Sequence, residues 1–115
     1  LIAVFQPHTY SRTKALFDQF AKSFQYADEV IITYIYGARE SDDPTVSGYK
    51  LAEETKKYHP HVSYIPRTDL LTYLKNNLKP YDALFTLGAG DIYTIYKDLL
   101  PWVNFLTSPP FRLKS

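Results

Sequence analysis

The sequence contains no cysteine and no methionine, and it has a single tryptophan among its 115 residues. The absence of cysteine excludes a disulfide framework, a thiol nucleophile and a thiolate-bound metal within this chain. No apolar run approaches the roughly 18 residues that a membrane-spanning helix needs. Thirteen Lys and Arg residues against twelve Asp and Glu leave a formal charge of +1. So small a charge provides no long-range attraction for nucleic acid or for an anionic membrane.

The residues that are present are typical of a folded domain. Hydrophobic residues make up 45% of the chain and charged residues 22%, which argues against intrinsic disorder. A chain of this length is sufficient for one domain with a hydrophobic core and too short for two. Because Leu1 already lies inside an apolar run, we interpret the chain as a domain of a longer polypeptide. Its start lacks the features of a signal peptide, and we expect a cytoplasmic protein.

Four runs typical of β-strands alternate with four helical patterns. Strands are predicted over residues 1–5, 29–35, 62–65 and 82–87, and helices over residues 13–24, 49–58, 68–78 and 92–99. Ser11 and Thr68 are the predicted N-caps of the first and third helices. This order predicts an α/β domain of three layers, with a mainly parallel sheet and helices on both faces. Residues 101–115 show no clear periodicity and form a tail whose structure the pattern leaves open.

The loops at the carboxyl ends of the strands are the candidate functional segments. In open α/β sheets, ligands bind at this edge, near the point where the strand order reverses. The segments concerned are residues 6–12, 36–48, 66–69 and 88–91. The opposite edge carries His59 and His61, and two histidines without a third ligand make a poor metal site. We expect no function for that pair.

The first candidate loop, residues 6–13, is dense in hydrogen-bonding groups. His8 can donate, accept or take up a proton near neutral pH, and Arg12 offers a planar fork of donors for a carboxylate or phosphate. A helix start with spare N–H groups beside them would bind an anion. The alternative is a polar loop in which His8 only bonds the backbone, and the spacing favours neither reading.

The other two loops carry weaker signals. Residues 88–91 (GAGD) match neither the dinucleotide fingerprint nor a P-loop, and a tight turn with Asp91 as the helix N-cap is favoured over a ligand site. In residues 36–43, Arg39 accompanies three carboxylates, which can bind Mg²⁺ or an ammonium group. Such runs are more often solvated loops.

Three motifs in these loops resemble the UDP-N-acetylmuramate–L-alanine ligases of the Mur ligase family. Residues 5–13 (FQPHTYSRT) match FQPH-x-[YF]-[ST]-R-T, residues 36–40 (YGARE) match Y-x-A-[RG]-E, and residues 87–92 (LGAGDI) contain the turn GAG-[DN]-I. They follow the first, second and fourth predicted strands in the family's order, and the first motif is the most specific. The resemblance covers about residues 1–100 and implies a Rossmann-like C-terminal domain there, followed by the tail of residues 101–115.

This resemblance implies that the parent is a three-domain ligase in peptidoglycan synthesis, and thus in cell shape and division. It would use ATP and Mg²⁺ to activate UDP-N-acetylmuramate as an acyl phosphate, which the amino group of L-alanine attacks. ATP and Mg²⁺ would bind mainly to a central domain whose P-loop this chain lacks, so the isolated chain would be inactive, with neither catalytic residues nor metal ligands. Its partners would be the two substrates and its own N-terminal and central domains, with no nucleic acid or membrane.

The resemblance also implies roles for individual residues. The implied substrate-binding residues are His8, Tyr10, Ser11, Arg12, Arg39 and Glu40. Among them, His8 and Arg12 would face the carboxylates of UDP-N-acetylmuramate and L-alanine, and Arg39 and Glu40 would lie near the cleft that closes between domains. A structural turn near this cleft would contain Gly88, Gly90 and Asp91. Many relatives have Arg where this chain has Thr9, so one cation typical of the family is missing.

Two alternatives stay open at this point. The chain can belong to a related Mur-type ligase for another amino acid or a peptide, although sister ligases differ at the FQPH loop. It can also be a stand-alone Rossmann-like module that binds a small anion or a partner protein and performs no chemistry. A P-loop and a DD-x-x-HHP segment upstream in the parent would favour the ligase over the module.

Overall fold

A computed structural model describes residues 1–80, 82–88, 92–99 and 112–114. The described residues form five strands: β1 (Ile2–Phe5), β2 (Glu29–Ile32), β3 (Val62–Tyr64), β4 (Ala83–Leu87) and β5 (Arg112–Lys114). All four neighbouring pairs are parallel, in the order β3-β2-β1-β4-β5. The chain moves outward from β1 to β3 and then returns to the other side of β1. The order therefore reverses between β1 and β4, which makes the carboxyl ends of these two strands the switch point of the sheet.

Helices occupy both faces of this sheet. They are α1 (Tyr10–Ala15), α2 (Phe17–Ala21), α3 (Gly48–Thr55) and α4 (Arg67–Asn77), followed by a 3₁₀ turn over Ile92–Thr94 and α-helical residues 95–99. No helix in the described ranges is long and apolar enough to cross a bilayer. The predicted three-layer α/β class is confirmed.

Alternate residues of each strand point to opposite faces, and they build two separate cores. On one face, Val4 and Ile31 lie in a buried cluster with other strand residues and with residues of α4, the last helix and their flanks: Ile2, Ile65, Leu70, Leu74, Leu78, Leu84, Ile92, Ile95 and Leu99. On the other face, Ala3, Val30 and Ile32 pack with residues of α2 and α3 and their flanks: Ala21, Phe24, Ala27, Leu51 and Ala52. Burial on both faces accounts for the apolar runs of β1 and of residues 30–32 in β2.

The prediction of one helix over residues 13–24 is wrong. The chain forms two short helices that are interrupted at Leu16, where φ is −109° and ψ is 17°. The predicted N-cap Ser11 is also wrong, because the helix begins one residue before it. Thr9 is the N-cap instead, and its hydroxyl accepts a hydrogen bond from the Arg12 N–H at 3.2 Å. The Thr9 N–H donates to the Tyr36 carbonyl, so the chain turns into the helix earlier than the local pattern indicates.

Three smaller differences concern the ends of elements. α4 begins at Arg67 after Pro66, without a side-chain cap, so the predicted N-cap Thr68 is wrong. β2 ends at Ile32 rather than at residue 35, because its pairings with β1 and β3 both end there, at Phe5 and Tyr64. A short fifth strand, β5, lies within the tail for which the pattern predicted no strand. Residues 100–111 lie outside the described part of the chain.

Candidate functional site at the carboxyl edge of the sheet

The loops that follow β1 and β2 lie side by side beyond the end of the sheet. His8 and Tyr36 form an isolated parallel β-bridge. The Thr9 N–H donates to the Tyr36 carbonyl at 2.7 Å, and the Tyr36 N–H donates to the Pro7 carbonyl at 2.8 Å. The His8 ring stacks on the Tyr36 ring, with centroids 5.8 Å apart and planes inclined by 20°. This pairing brings the FQPH and YGARE motifs into direct contact.

Thr9 connects β1 to α1 in an unusual backbone conformation. Its φ is 63° and its ψ is 148°, a region that costs a β-branched residue about 1–3 kcal/mol. Several hydrogen bonds hold it there. Besides the bond to Tyr36, the Thr9 carbonyl accepts from the Thr13 hydroxyl at 2.7 Å and from the Thr13 N–H at 3.2 Å. The turn that presents His8 and Arg12 is thus fixed from both sides.

Glu40 binds the start of α1. Its Oε1 accepts hydrogen bonds from the backbone N–H groups of Tyr10 at 2.7 Å and Ser11 at 3.0 Å, and its Oε2 accepts one from the Ser11 hydroxyl. The pKa of Glu40 is lowered, first by the Ser11 hydroxyl and then by the N–H groups of Ser11 and Tyr10, with a smaller contribution from His8. The sequence predicted spare N–H groups at this helix start. Those of Tyr10 and Ser11 are occupied by a carboxylate of the chain itself.

The two other carboxylates of this loop also contact protein groups. Burial, followed by a hydrogen bond with Asp42, raises the pKa of the Tyr10 hydroxyl. Asp43 accepts from the N–H and hydroxyl of Thr45 at 2.9 and 2.6 Å and lies 4.0 Å from the Lys14 ammonium. These contacts hold the loop against α1. Among the described residues, no three His, Asp or Glu side chains are grouped as a metal ion would require.

The cations of the two motifs face solvent. The side chains of Arg12 and Arg39 are exposed, and neither makes an ion pair with a described residue. Both guanidinium groups therefore keep all their donors available for a carboxylate or a phosphate. The half-buried His8 ring, stacked on Tyr36, borders the same edge.

The turn after β4 completes the switch point. Gly88 has a φ of 154°, and a Cβ at this position would lie 2.9 Å from the Gln6 carbonyl oxygen and 3.1 Å from Cγ2 of Ile92. The Gln6 N–H donates to the Leu87 carbonyl at 2.9 Å. A glycine here lets the ends of β1 and β4 approach each other, as expected for a structural turn. The predicted residues Gly90 and Asp91 lie outside the described part of the chain.

At the opposite edge, the two histidines preceding β3 have structural surroundings. His59 is buried, its Nε2 lies 2.7 Å from the Ala27 carbonyl oxygen, and its Nδ1 accepts from the His61 N–H at 3.0 Å. An open cavity of ≈ 360 Å³ lies beside them. It is lined by Asp28, Glu29, Pro60, His61, Val62 and Ser63. None of these is a predicted site residue.

Sequence reasoning missed the residues that join the two loops. Thr9 and Tyr36 enter the sequence analysis only as motif positions, and Asp42 only as one of three carboxylates in a polar run. Their partners lie about 30 residues away along the chain, as for the contact between Tyr10 and Glu40. No local spacing signals such a pairing. The one available signal is that both loops follow neighbouring parallel strands.

A parallel sheet of this order, with helices on both faces and polar loops at its switch point, defines a Rossmann-like α/β domain. No family model matches the sequence. The UDP-N-acetylmuramate–L-alanine ligase of Caldanaerobacter subterraneus subsp. tengcongensis is 48% identical over 101 residues, which cover 87% of this chain and 22% of that protein. The ligase of the same name from Acetivibrio thermocellus is 46% identical over 80% of this chain and 20% of its own length. That from Acaryochloris marina is 40% identical over 95% of this chain and 23% of its own length.

Over the segment that it spans, the chain belongs to the UDP-N-acetylmuramate–L-alanine ligase family. This confirms the family that the three motifs indicated. The chain spans about a fifth of the length of the curated relatives it matches, between 20% and 23% in the three described above.

Proposed function

We propose that the chain is the C-terminal domain of an ATP-dependent ligase that joins L-alanine to UDP-N-acetylmuramate in peptidoglycan precursor synthesis. The observation that carries this proposal is the 48% identity to a ligase of that name, combined with the contact between the FQPH and YGARE motifs at the carboxyl edge of the sheet. The partners would be the two substrates and the N-terminal and central domains of the parent. Because the reaction consumes a nucleotide made inside the cell, we place it in the cytoplasm.

The role of this domain in the reaction is binding and closure. Both substrates carry a carboxylate, and the exposed Arg12 guanidinium offers charge-assisted hydrogen bonds to such a group. The His8 ring borders the same position and can donate to the same anion. Arg39 lies on the facing loop, near the cleft that closes when the domains meet. Closure excludes water from an activated carboxyl group that water would otherwise hydrolyse.

The described residues do not fit a binding site for ATP and Mg²⁺. The sequence has no P-loop, and the three acidic side chains of the loop after β2 are engaged by α1 and Thr45. We therefore assign ATP and Mg²⁺ to the remainder of the parent and derive no step of the reaction through them. The isolated chain is expected to be inactive.

An amide-forming assay on the full-length parent tests the proposal. The reaction contains UDP-N-acetylmuramate, ATP and Mg²⁺, compares L-alanine, glycine and L-serine, and measures released phosphate. We expect turnover that prefers L-alanine and none from the 115-residue chain alone. A folded parent that turns over none of the three amino acids would refute the assignment, and a preference for glycine or L-serine would move it to another Mur-type acceptor.

A further inference from the structure

The carboxylate of Glu40 connects two loops whose bonded residues are 29 and 30 positions apart. Its three bonds go to the first turn of α1: the N–H of Tyr10, the N–H of Ser11 and the Ser11 hydroxyl. Arg12 is the next residue of that turn. The Glu40 carboxylate therefore holds the two residues before Arg12, and with them the backbone from which the exposed Arg12 side chain extends.

We propose that Glu40 is a positioning residue of the ligase site, which holds the β1–α1 turn so that Arg12 and His8 keep one arrangement toward the substrate carboxylate. This inference rests on the proposed function. It differs from a direct substrate contact, in which the Glu40 carboxylate would pair with the ammonium group of the amino acid.

The bonds of Glu40 favour the positioning role. A carboxylate has about four acceptor positions, and three are occupied by Tyr10 and Ser11. Two of those donors are backbone N–H groups in the first turn of a helix, which have no partner within the helix. An arriving ammonium group would find about one acceptor position free, and a closer pairing would displace these N–H groups and leave them unpaired, which is unfavourable.

The backbone at Thr9, just before α1, adopts a conformation that other contacts must stabilise. Thr9 adopts a φ of 63°, and such a conformation persists only where the surroundings over-determine it. The Tyr36 carbonyl fixes Thr9 itself, and Glu40 fixes the next two residues. Without Glu40, the turn would keep only the bonds that Arg12 and Thr13 make to Thr9 on its helical side, and it could relax and move Arg12.

The loop that carries Glu40 forms a constrained turn, which holds the Glu40 carboxylate beside the start of α1. The Glu40 N–H donates to the Gly37 carbonyl at 3.0 Å, which closes a tight turn. The ring of Tyr10 packs over Gly37, where a Cβ would lie 2.8 Å from Cε2 of that ring. Ala38, inside the turn, has a φ of 56°. The carboxylate is therefore presented by a constrained turn rather than by a freely moving loop.

Kinetics on the full-length ligase separate positioning from direct contact. The variants are Arg12→Ala, Glu40→Ala, Glu40→Gln and the double variant with Ala at both positions. The matched control is Glu53→Gln, which removes a carboxylate that pairs with Lys56 at 2.9 Å on the exposed face of α3. We expect Glu40→Ala to raise the KM of the same substrate as Arg12→Ala, by about tenfold. The double variant should be within about twofold of Arg12→Ala, because the two changes remove one interaction.

Two kinetic results would overturn the inference. One is a double variant whose loss equals the product of the single losses, since independent residues behave so. The other is a Glu40→Gln variant as impaired as Glu40→Ala and affecting L-alanine alone. A glutamine oxygen can still accept from the two N–H groups, so positioning predicts partial rescue, whereas pairing with an ammonium group predicts none. The control Glu53→Gln should leave the KM for L-alanine and the KM for UDP-N-acetylmuramate unchanged.

Amide hydrogen exchange in the same full-length variants supplies a readout that does not need activity. In Glu40→Ala, a peptide covering residues 8–16 should exchange about tenfold faster or more, while peptides from α3 and α4 exchange as before. If the peptide covering residues 8–16 exchanged at an unchanged rate in Glu40→Ala, the inference would be overturned even in an active ligase. A parent without ligase activity would instead refute the proposed function, and the exchange result would still decide whether Glu40 holds the turn.

Discussion

Gly48 is the position where a single added methyl group should do the most damage to the edge that carries the site. It is the first residue of α3, directly after the N-cap Ser47. A Cβ at this position would lie 2.1 Å from the carbonyl oxygen of Thr33 and 2.9 Å from Cε1 of Tyr64. The close approach of α3 to the end of β2 depends on the missing side chain. We predict that Gly48→Ala destabilises the domain.

The magnitude follows from two opposing effects. Alanine is favoured over glycine in a helix by at most about 1 kcal/mol. Against this, carbon and carbonyl oxygen normally stay about 3.3 Å apart, so α3 or β2 must move by more than an ångström. Overpacking of this kind costs about 1–3 kcal/mol, and the upper end applies because the obstacle is backbone. The expected net loss is about 2 kcal/mol, or a fall in Tm of roughly 10 °C for a domain of this size.

Thermal and urea unfolding followed by circular dichroism would measure this loss. Gly37→Ala is the matched control, because its added Cβ would meet only the edge of the Tyr10 ring at 2.8 Å, and that ring can move aside. We expect the control to lose less than half as much stability as Gly48→Ala. A Gly48→Ala variant as stable as the starting protein would show that helix propensity dominates and that the close packing of α3 on Thr33 is absent.

Three further predictions concern the two edges of the sheet. In the full-length ligase, Arg12→Ala should raise the KM for L-alanine or UDP-N-acetylmuramate, or lower kcat, by about tenfold or more, because a charge-assisted bond is lost. Unchanged kinetics in this variant would contradict the role of Arg12. His59→Ala should lower the free energy of unfolding by about 1–3 kcal/mol, because it leaves a buried carbonyl without its partner, whereas substitution of the exposed His61 should alter neither stability nor activity. A large activity loss at either histidine would mean that the functional edge is misplaced. The hydrogen bond to Glu29 raises the pKa of Tyr73 to about 12, so the stability that this bond contributes should be complete below pH 10 and lost as the pH rises from about 10 to 12. Absorbance titration against Tyr73→Phe checks it, and a Tyr73 that ionises together with the exposed tyrosines would contradict it.

The parallel sheet and the position of its carboxyl edge could be predicted because they depend on short-range patterns. Strands covered on both faces need unbroken apolar runs, and residues 1–5 and 30–32 supply them. The alternation with helices then leaves few topologies. The carboxyl edge follows from that order, so the sequence alone predicts the position of the FQPH loop at this edge.

The helix boundaries could not be predicted in the same way. The apolar spacing of residues 13–24 is continuous, and nothing in it marks the interruption at Leu16. The start of α1 is set by a carbonyl of the neighbouring loop, which bonds Thr9 and turns the chain before Ser11. Both features are tertiary effects that override local preference.

The anion at the start of α1 illustrates most clearly what local sequence leaves undecided. Unpaired N–H groups in a first helical turn indicate that an acceptor binds there, but they do not distinguish a substrate from a residue of the same chain. Three carboxylates follow β2, and their spacing is compatible with a solvated loop, a cation site or contacts to α1. Only the β-bridge between His8 and Tyr36 fixes the offset of the two loops, and this offset places Glu40, rather than Asp42 or Asp43, on the N–H groups of Tyr10 and Ser11. Because Glu40 occupies the N–H groups of Tyr10 and Ser11, a bound carboxylate must be held by side chains instead. The exposed guanidinium of Arg12 is therefore the group on which substrate binding in this domain should depend.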